Sequence, residues 1–266
     1  MESKQAVLIL DKKRGETPLE CLNRFKKDNP EYENEKMTYA GRLDPLASGL
    51  LLVLVGEECK NKEKYLEQDK EYELDVLFGF ATDSYDVLGK VICHSREGGN
   101  PGMKVLDPVL QLDDTIKEIL SAFIGRFSQK YPAFSSKTIG GEPLFALAKS
   151  GGISEDEIPT KDVEIKNIEL LNEKEISKSD LGKFIKDSVA LVSGDFRQEE
   201  ILELWSETLN NTKQEQFKII SIKVSCTSGT YMRSLANEIG IKIGIPALAL
   251  NIKRIKVGDY VSLDKS

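Results

Sequence analysis

An α+β or mixed α/β fold is what this sequence predicts, on three observations. Strand-like segments are interleaved with segments of helical spacing, without the regular βαβ repeat of a doubly wound sheet. No glycine-rich phosphate loop of either common type interrupts them. The chain has 266 residues, 40% hydrophobic and 30% charged, enough for one large domain or two small ones around a real core.

Taken in order, "QAVLILDK" predicts a buried strand. "ETPLECLNRFKK" predicts a helix with Thr17 as N-cap, Pro18 in the first helical position and Glu20 closing a capping box, so that Leu19, Leu22 and Phe25 face inward. "YAGRLDPLASG", Tyr39 to Gly49, reads as a tight turn that isolates one carboxylate, Asp44. Proline fixes φ there, and glycine permits positive φ and close backbone approach. Taken alone, "LDP" is an ordinary Asp-Pro turn. "LLLVLVG" predicts a second buried strand and "EYELDVLFG" a third, half-exposed one.

"SREGGNPGMK", residues 95–104, reads as a polar surface loop that takes His94 to solvent. "DDTIKEILSAFIG" predicts a helix with an aspartate cap, Ile116, Ile119, Leu120 and Phe123 inward, and Gly125 as its stop. "EPLFALAKSGG" predicts a short helix with a glycine end. "RQEEILELWSETL" predicts an amphipathic surface helix through Ile201, Leu204, Trp205 and Leu209. "QFKIISIKVSC" predicts a strand that enters "TSGTYMRSLANEIG", a turn followed by a helix.

Composition narrows the chemistry. Cys21, Cys59, Cys93 and Cys226 form no CxxC pair, which suggests neither a zinc site nor a disulfide framework. With His94 as the single histidine, catalysis is expected to use carboxylate, tyrosine, lysine or arginine. The longest apolar run, Leu50 to Val55, is too short to cross a bilayer and the N-terminus has no signal-peptide pattern, so a cytoplasmic location and no membrane contact are expected.

Net charge is −7, but unevenly spread: residues 213–256 hold eight Lys/Arg against two Asp/Glu, and residues 155–207 hold seven against fifteen. The basic stretch and Lys12, Lys13, Arg14, Arg24, Lys26 and Lys27 could form one positive face for nucleic acid, or be ordinary solvated charge.

Four blocks carry a family resemblance. "GRLDPLASGLLLVLVGEECK" resembles the signature of the TruB family of pseudouridine synthases, in which a G-x-LDP-x-A-x-G turn carries the catalytic aspartate. "LILDKKRGETPLECL", "KEYELDVLFGFATDSYDVLGKV" and "VSCTSGTYMRSLANEIGIKIG" resemble three further family segments, in the same order. The resemblance implies the pseudouridine-synthase fold, a mixed, mainly antiparallel central sheet with helices around an active-site cleft. It also implies isomerisation of a uridine in the T-loop of tRNA, position 55, to pseudouridine, with no metal or organic cofactor.

Carried over by position, the resemblance makes Asp44, Tyr72 and Arg233 the catalytic residues: Asp44 the nucleophile, Arg233 its partner, and Tyr72 the ring that packs on the target base and assists proton removal at C5. Tyr39, Gly41, Leu43, Tyr231 and Leu235 fall at substrate-binding positions, with Lys60 and Lys137 as RNA contacts. Lys12, Lys13, Lys253 and Arg254 are further phosphate-contact candidates. Tyr39 departs from the family, whose bacterial members commonly have a histidine there. "QKYPAFSSKT" departs from Q-x-PP-x-YSA-x-K.

The expected organisation is a single catalytic domain over 1–266, monomeric, with an acidic accessory segment at about 155–212 and without the family's C-terminal PUA-type domain. The chemistry fits the residue types. Breaking N1–C1′ and bonding C5 instead requires a nucleophile or base at the sugar, a site that retains the uracil, and a proton acceptor for C5. Two other readings remain: a guide-RNA-dependent homologue, and a tRNA-folding chaperone or RNA-binding module without catalysis.

Overall fold

The computed structural model describes residues 5–92 and 113–262. Cys93, His94 and the 95–104 loop lie outside the described residues, as do the side chains of Asp113 and Asp114. In chain order the elements are β1 (Val7–Lys12), α1 (Pro18–Asp28), β2 (Met37–Ala40), β3 (Ala47–Val55), α2 (Lys62–Leu66), β4 (Lys70–Phe78), α3 (Asp113–Ser121) and β5 (Gly125–Lys130). There follow β6 (Thr138–Ile139), β7 (Glu142–Pro143), α4 (Leu144–Ser150), β8 (Thr160–Ser177), α5 (Lys178–Ala190), α6 (Gln198–Asn211), β9 (Gln216–Cys226), α7 (Met232–Ile243), β10 (Ala247–Val257) and β11 (Tyr260–Val261).

Among the described residues the main sheet runs β1-β3-β10-β4-β9-β8-β5, with β2 on β3 and β11 on β10. Only β3 and β10 pair in parallel; the other pairings are antiparallel. This is the mixed, mainly antiparallel sheet that the sequence led us to expect. Strand alternation sorts side chains onto two faces. Leu74, Val76, Ile220, Ile222, Ala247 and Ala249 join α3 and α7 in one core, while Leu77, Phe217, Ile219, Leu248 and Leu250 join α5 and α6 in another. β3 is covered separately, Leu51, Val53 and Val55 by Cys21 and Leu22 of α1 and Leu50, Leu52 and Leu54 with Ala40 and Val257 on the other face, which is why it can be a continuous apolar run.

The first helix matches its sequence signals. Thr17 caps it, Glu20 closes the capping box, and Cys21 and Leu22 are buried. Leu19 is a correction: it is 56% exposed, because it points along the cleft described below and not into the core. β1 is also only half-buried, since it pairs with β3 alone.

Gly125 does not stop α3, which ends at Ser121; with φ +116° it opens β5 instead. The acidic segment contributes β8, which pairs along most of β9, and then α5 and α6, whose Leu181, Ile185, Ile201 and Trp205 are buried against the sheet. None of the described helices is long and apolar enough to cross a membrane.

Candidate active site

The turn between β2 and β3 isolates Asp44 by backbone geometry. Gly41 adopts φ +86°, and the Ala47 N–H donates to Asp44 O at 3.0 Å, closing the turn around Pro45. Two fully buried cations hold it from below. Lys12, 0% exposed, donates from Nζ to the carbonyls of Lys13, Pro45 and Ala47 at 3.1, 3.0 and 2.5 Å. Arg254, 1% exposed, donates to the carbonyls of Leu50, Gly41 and Arg42 at 2.8, 3.3 and 3.5 Å. Burial pushes the Lys12 ammonium down to about 8, so its charge is retained at neutral pH.

Both residues were candidates for phosphate contact, and their burial overturns that. Their donors are spent on backbone carbonyls in and beside the Asp44 turn.

Asp44 turns its carboxylate toward a cleft of about 380 Å³, within the usual ~300–1,000 Å³ of ligand pockets. Arg233, in the first turn of α7, pairs with it through both nitrogens of a fork: Nε to Oδ2 at 2.7 Å and Nη2 to Oδ1 at 3.2 Å. Asp44 remains 39% exposed while Arg233 is 3% exposed. The guanidinium is thus buried scaffold and the carboxylate is the presented group.

Arg233 also donates to Ser84 O at 2.9 Å and Phe134 O at 3.1 Å, and its Nε lies 3.7 Å from Asp86 Oδ2. Burial works against its charge, but Asp44 and Asp86 outweigh burial and hold its proton more tightly than usual. Asp86 is buried, which raises its pKa; Ser84 Oγ and the Leu88 N–H donate to its Oδ1 at 2.6 and 3.0 Å. The result is an aspartate–arginine–aspartate chain with one outlet, Asp44.

The structure brings some of the sequence-nominated residues to this cleft and not others. Tyr39, Leu43, Asp44 and Arg233 line it. Gly41 shapes the turn, and a Cβ there would come within 3.4 Å of the Arg254 guanidinium. Tyr72 is 7% exposed on β4, paired in register with Arg254 and sharing a core cluster with Leu43 and Ala47; burial raises its pKa, with Asp44 adding to the shift.

Tyr231 is the N-cap of α7 and half-buried, its ring edge-on to Tyr131 at 5.5 Å. Leu235 is fully buried and does not line the cleft, because one turn along α7 it points into the sheet. Lys60 is on the surface, ion-paired with Glu57, and Lys137 is exposed with its ammonium 5.5 Å from the Tyr131 ring centre.

Among the described residues, several cations of the two basic stretches are buried or ion-paired. Arg233 and Arg254 are buried, and Lys218, Lys223 and Lys256 pair with Glu173 and Glu71. At the N-terminus Lys13 pairs with Asp11, and Arg24 with Glu16. Sequence reasoning missed Lys12 and Arg254 as turn holders, together with Asp86, Ser84 and Phe134. Asp86 alone left a signal, as the second aspartate of the quoted "ATDSYDVLG" block. No described group of three or more His, Cys, Asp or Glu could hold a metal ion.

The model of the TruB family pseudouridylate synthase N-terminal domain matches residues 30–182. The chain belongs to this family. Among TruB relatives, tRNA pseudouridine synthase B of Aquifex aeolicus is 30% identical over 260 residues, covering 97% of this chain and 70% of that one. The synthase of the same name from Blochmanniella pennsylvanica is 29% identical over 258 residues, covering 96% and 76%.

In fold, this TruB chain is similar to a chain of a Cbf5-Nop10-Gar1 complex, with a TM-score of 0.55 at 19% identity. That match covers 97% of this chain and spans half of the other. Residues 39–49, with Asp44, and 80–90, with Asp86, fall inside the matched family domain; Arg233 falls beyond it and joins them in space.

Proposed function

We propose that this protein isomerises a uridine in the T-loop of tRNA, position 55, to pseudouridine, with Asp44 as nucleophile. The observation that carries the reading is a carboxylate held by a two-point arginine fork yet still open to a cleft of about 380 Å³. The names of the relatives, tRNA pseudouridine synthase B, support tRNA as the substrate.

In this reading the target nucleotide leaves the stack, at a cost of a few kcal/mol, and enters the cleft. Asp44 attacks C1′ as the N1–C1′ bond breaks, and the uracil carries that bonding pair away on N1. After rotation C5 bonds to C1′ as the bond from Asp44 breaks and restores the carboxylate; a base passes the C5 proton to solvent and N1 ends protonated, so the product is an isomer of the substrate. Arg233 keeps Asp44 aimed through its two-point fork. Tyr72 is assigned by its family position as the ring that packs on the base, a contact worth about 1–3 kcal/mol where stacking is achieved, although at 7% exposed it does not line the cleft.

Tyr39 stands where the family commonly has a histidine; it lines the cleft, with the Lys62 ammonium 5.6 Å from its ring centre, and we assign to its ring the part of the histidine that helps prise the loop open. We read the enzyme as a cytoplasmic monomer that needs no metal or organic cofactor.

The test is to incubate the purified protein with unmodified tRNA or a T-arm hairpin and map pseudouridine by a chemical adduct that stops reverse transcription. The wild type is expected to modify the T-loop uridine, and Asp44→Asn to leave it unchanged. Binding without modification by either would make the protein an RNA-binding module. Modification only with an added guide RNA would make it a guided homologue.

A further inference from the structure

Two arginines from distant parts of the chain grip the same two segments. Arg233 takes the carbonyls of Ser84 and Phe134 from the inside. Arg197 takes the neighbouring groups from the outside: Nη1 and Nη2 donate to Asp83 Oδ2 and Oδ1 at 2.6 and 3.2 Å, and the guanidinium lies 4.0 Å from the centre of the Phe134 ring. Asp83 is adjacent to Ser84. Phe134 gives its carbonyl to one arginine and its ring to the other.

Several features separate this from an ordinary surface ion pair, which contributes little. The contact is a two-point fork, and the side chains of Arg197 and Asp83 are 13% and 28% exposed. Arg197 sits at the start of α6 with φ +62°, a left-handed conformation uncommon outside glycine. Asp83 also accepts from the Lys90 N–H at 2.9 Å, and Lys90 in turn pairs with Glu200 on α6. The loop joining α5 to α6 is thereby tied to residues 82–91. It also reaches the cleft, whose lining includes Phe196 and Arg197.

We propose that Arg197 is a positioning residue for the reaction: by clamping Asp83 against Phe134 it fixes the two carbonyls that hold Arg233, and so the direction in which Asp44 meets the substrate. It is the route by which the α5–α6 pair contributes to catalysis. The proposal deepens the functional reading given above and rests on it for its activity readout.

The test compares wild type, Arg197→Lys, Arg197→Ala, Asp83→Ala and the Arg197→Ala/Asp83→Ala double variant on a T-arm hairpin. Each single variant is expected to lower kcat roughly ten- to a hundred-fold, the scale of a misplaced catalytic group, with KM and hairpin Kd within about two-fold. The double variant should be little worse than either single one, because both break one contact. Lysine should not rescue, since one ammonium reproduces neither the fork nor the stacking.

Unchanged kcat would overturn the proposal, as would a loss carried by KM and Kd, or one that tracks the unfolded fraction. Hydrogen exchange decides the clamp independently of activity: exchange should accelerate in residues 82–88 and 131–137 and not across the sheet. Unaltered exchange there overturns the clamp. A wild type that leaves the hairpin unmodified overturns the functional reading while the exchange result still stands.

Discussion

At Arg233 a buried charge meets four oxygens, two from Asp44 and one each from Ser84 and Phe134. A lysine could reach only some of these and could not span the carboxylate in a plane. Arg233→Lys is therefore expected to lower kcat by about a hundred-fold or more, given ~1.5–3 kcal/mol for each charged hydrogen bond lost, with RNA affinity retained. Single-turnover rates measure it, and near-wild-type turnover would remove the pair from the mechanism.

Another α7 residue, Glu238, has an unpartnered buried Oε2, and burial raises its pKa from 4.5 to about 7. Between those values the folded protein keeps a proton that the unfolded chain has released, so this group's contribution to stability falls as pH rises from about 4.5 to about 7. Relative to wild type, Glu238→Gln should gain stability in urea unfolding across that window, by no more than about 3.4 kcal/mol and less for its partial exposure. A constant difference between pH 4.5 and 7 would remove Glu238 as the source.

Asp44 and Arg233 were legible because each sits in a block of unusual residue order. Lys12 and Arg254 were not. A lysine that spends its donors on carbonyls 33 and 35 residues away looks, in sequence, like any solvated lysine.

Among the elements, β3 depends most on a single absent side chain. Gly49 pairs with Lys12 on one side and Arg254 on the other, at φ +94°, and a Cβ would stand 2.4 Å from Arg254 O. Gly49→Ala is expected to cost at least about 1–3 kcal/mol from backbone conformation, and to push β10 outward. Because β10 carries the guanidinium that holds Gly41 O, turnover should fall together with the thermal midpoint. A variant as stable and active as wild type would show that the two strands can separate without harm.

Elements with local signals were readable: the capped α1, the apolar β3, and α4 with its left-handed Gly151. β8 was not, because "TKDVEIKNIELLNEKEIS" mixes charge along its exposed face, and acidity there suggested an appendage when the strand belongs to the sheet. β10 also went unread, its pattern broken by register shifts against β4. Leu19 fits a helical stripe by spacing, and only the position of the cleft explains its exposure.

Across the whole molecule, cations that sequence would assign to RNA are in large part internal or paired, in a chain of net charge −7. In the reading proposed above, recognition would rest on the shape of a folded loop and on the cleft more than on those cations. The sheet's order has a further consequence, for synthesis on the ribosome. β10, residues 247–257, lies between β3 and β4, whose residues emerge almost two hundred positions earlier. On the ribosome, β3 and β4 are therefore made long before the strand that joins them, and Arg254 cannot hold the Asp44 turn until β10 has been synthesised.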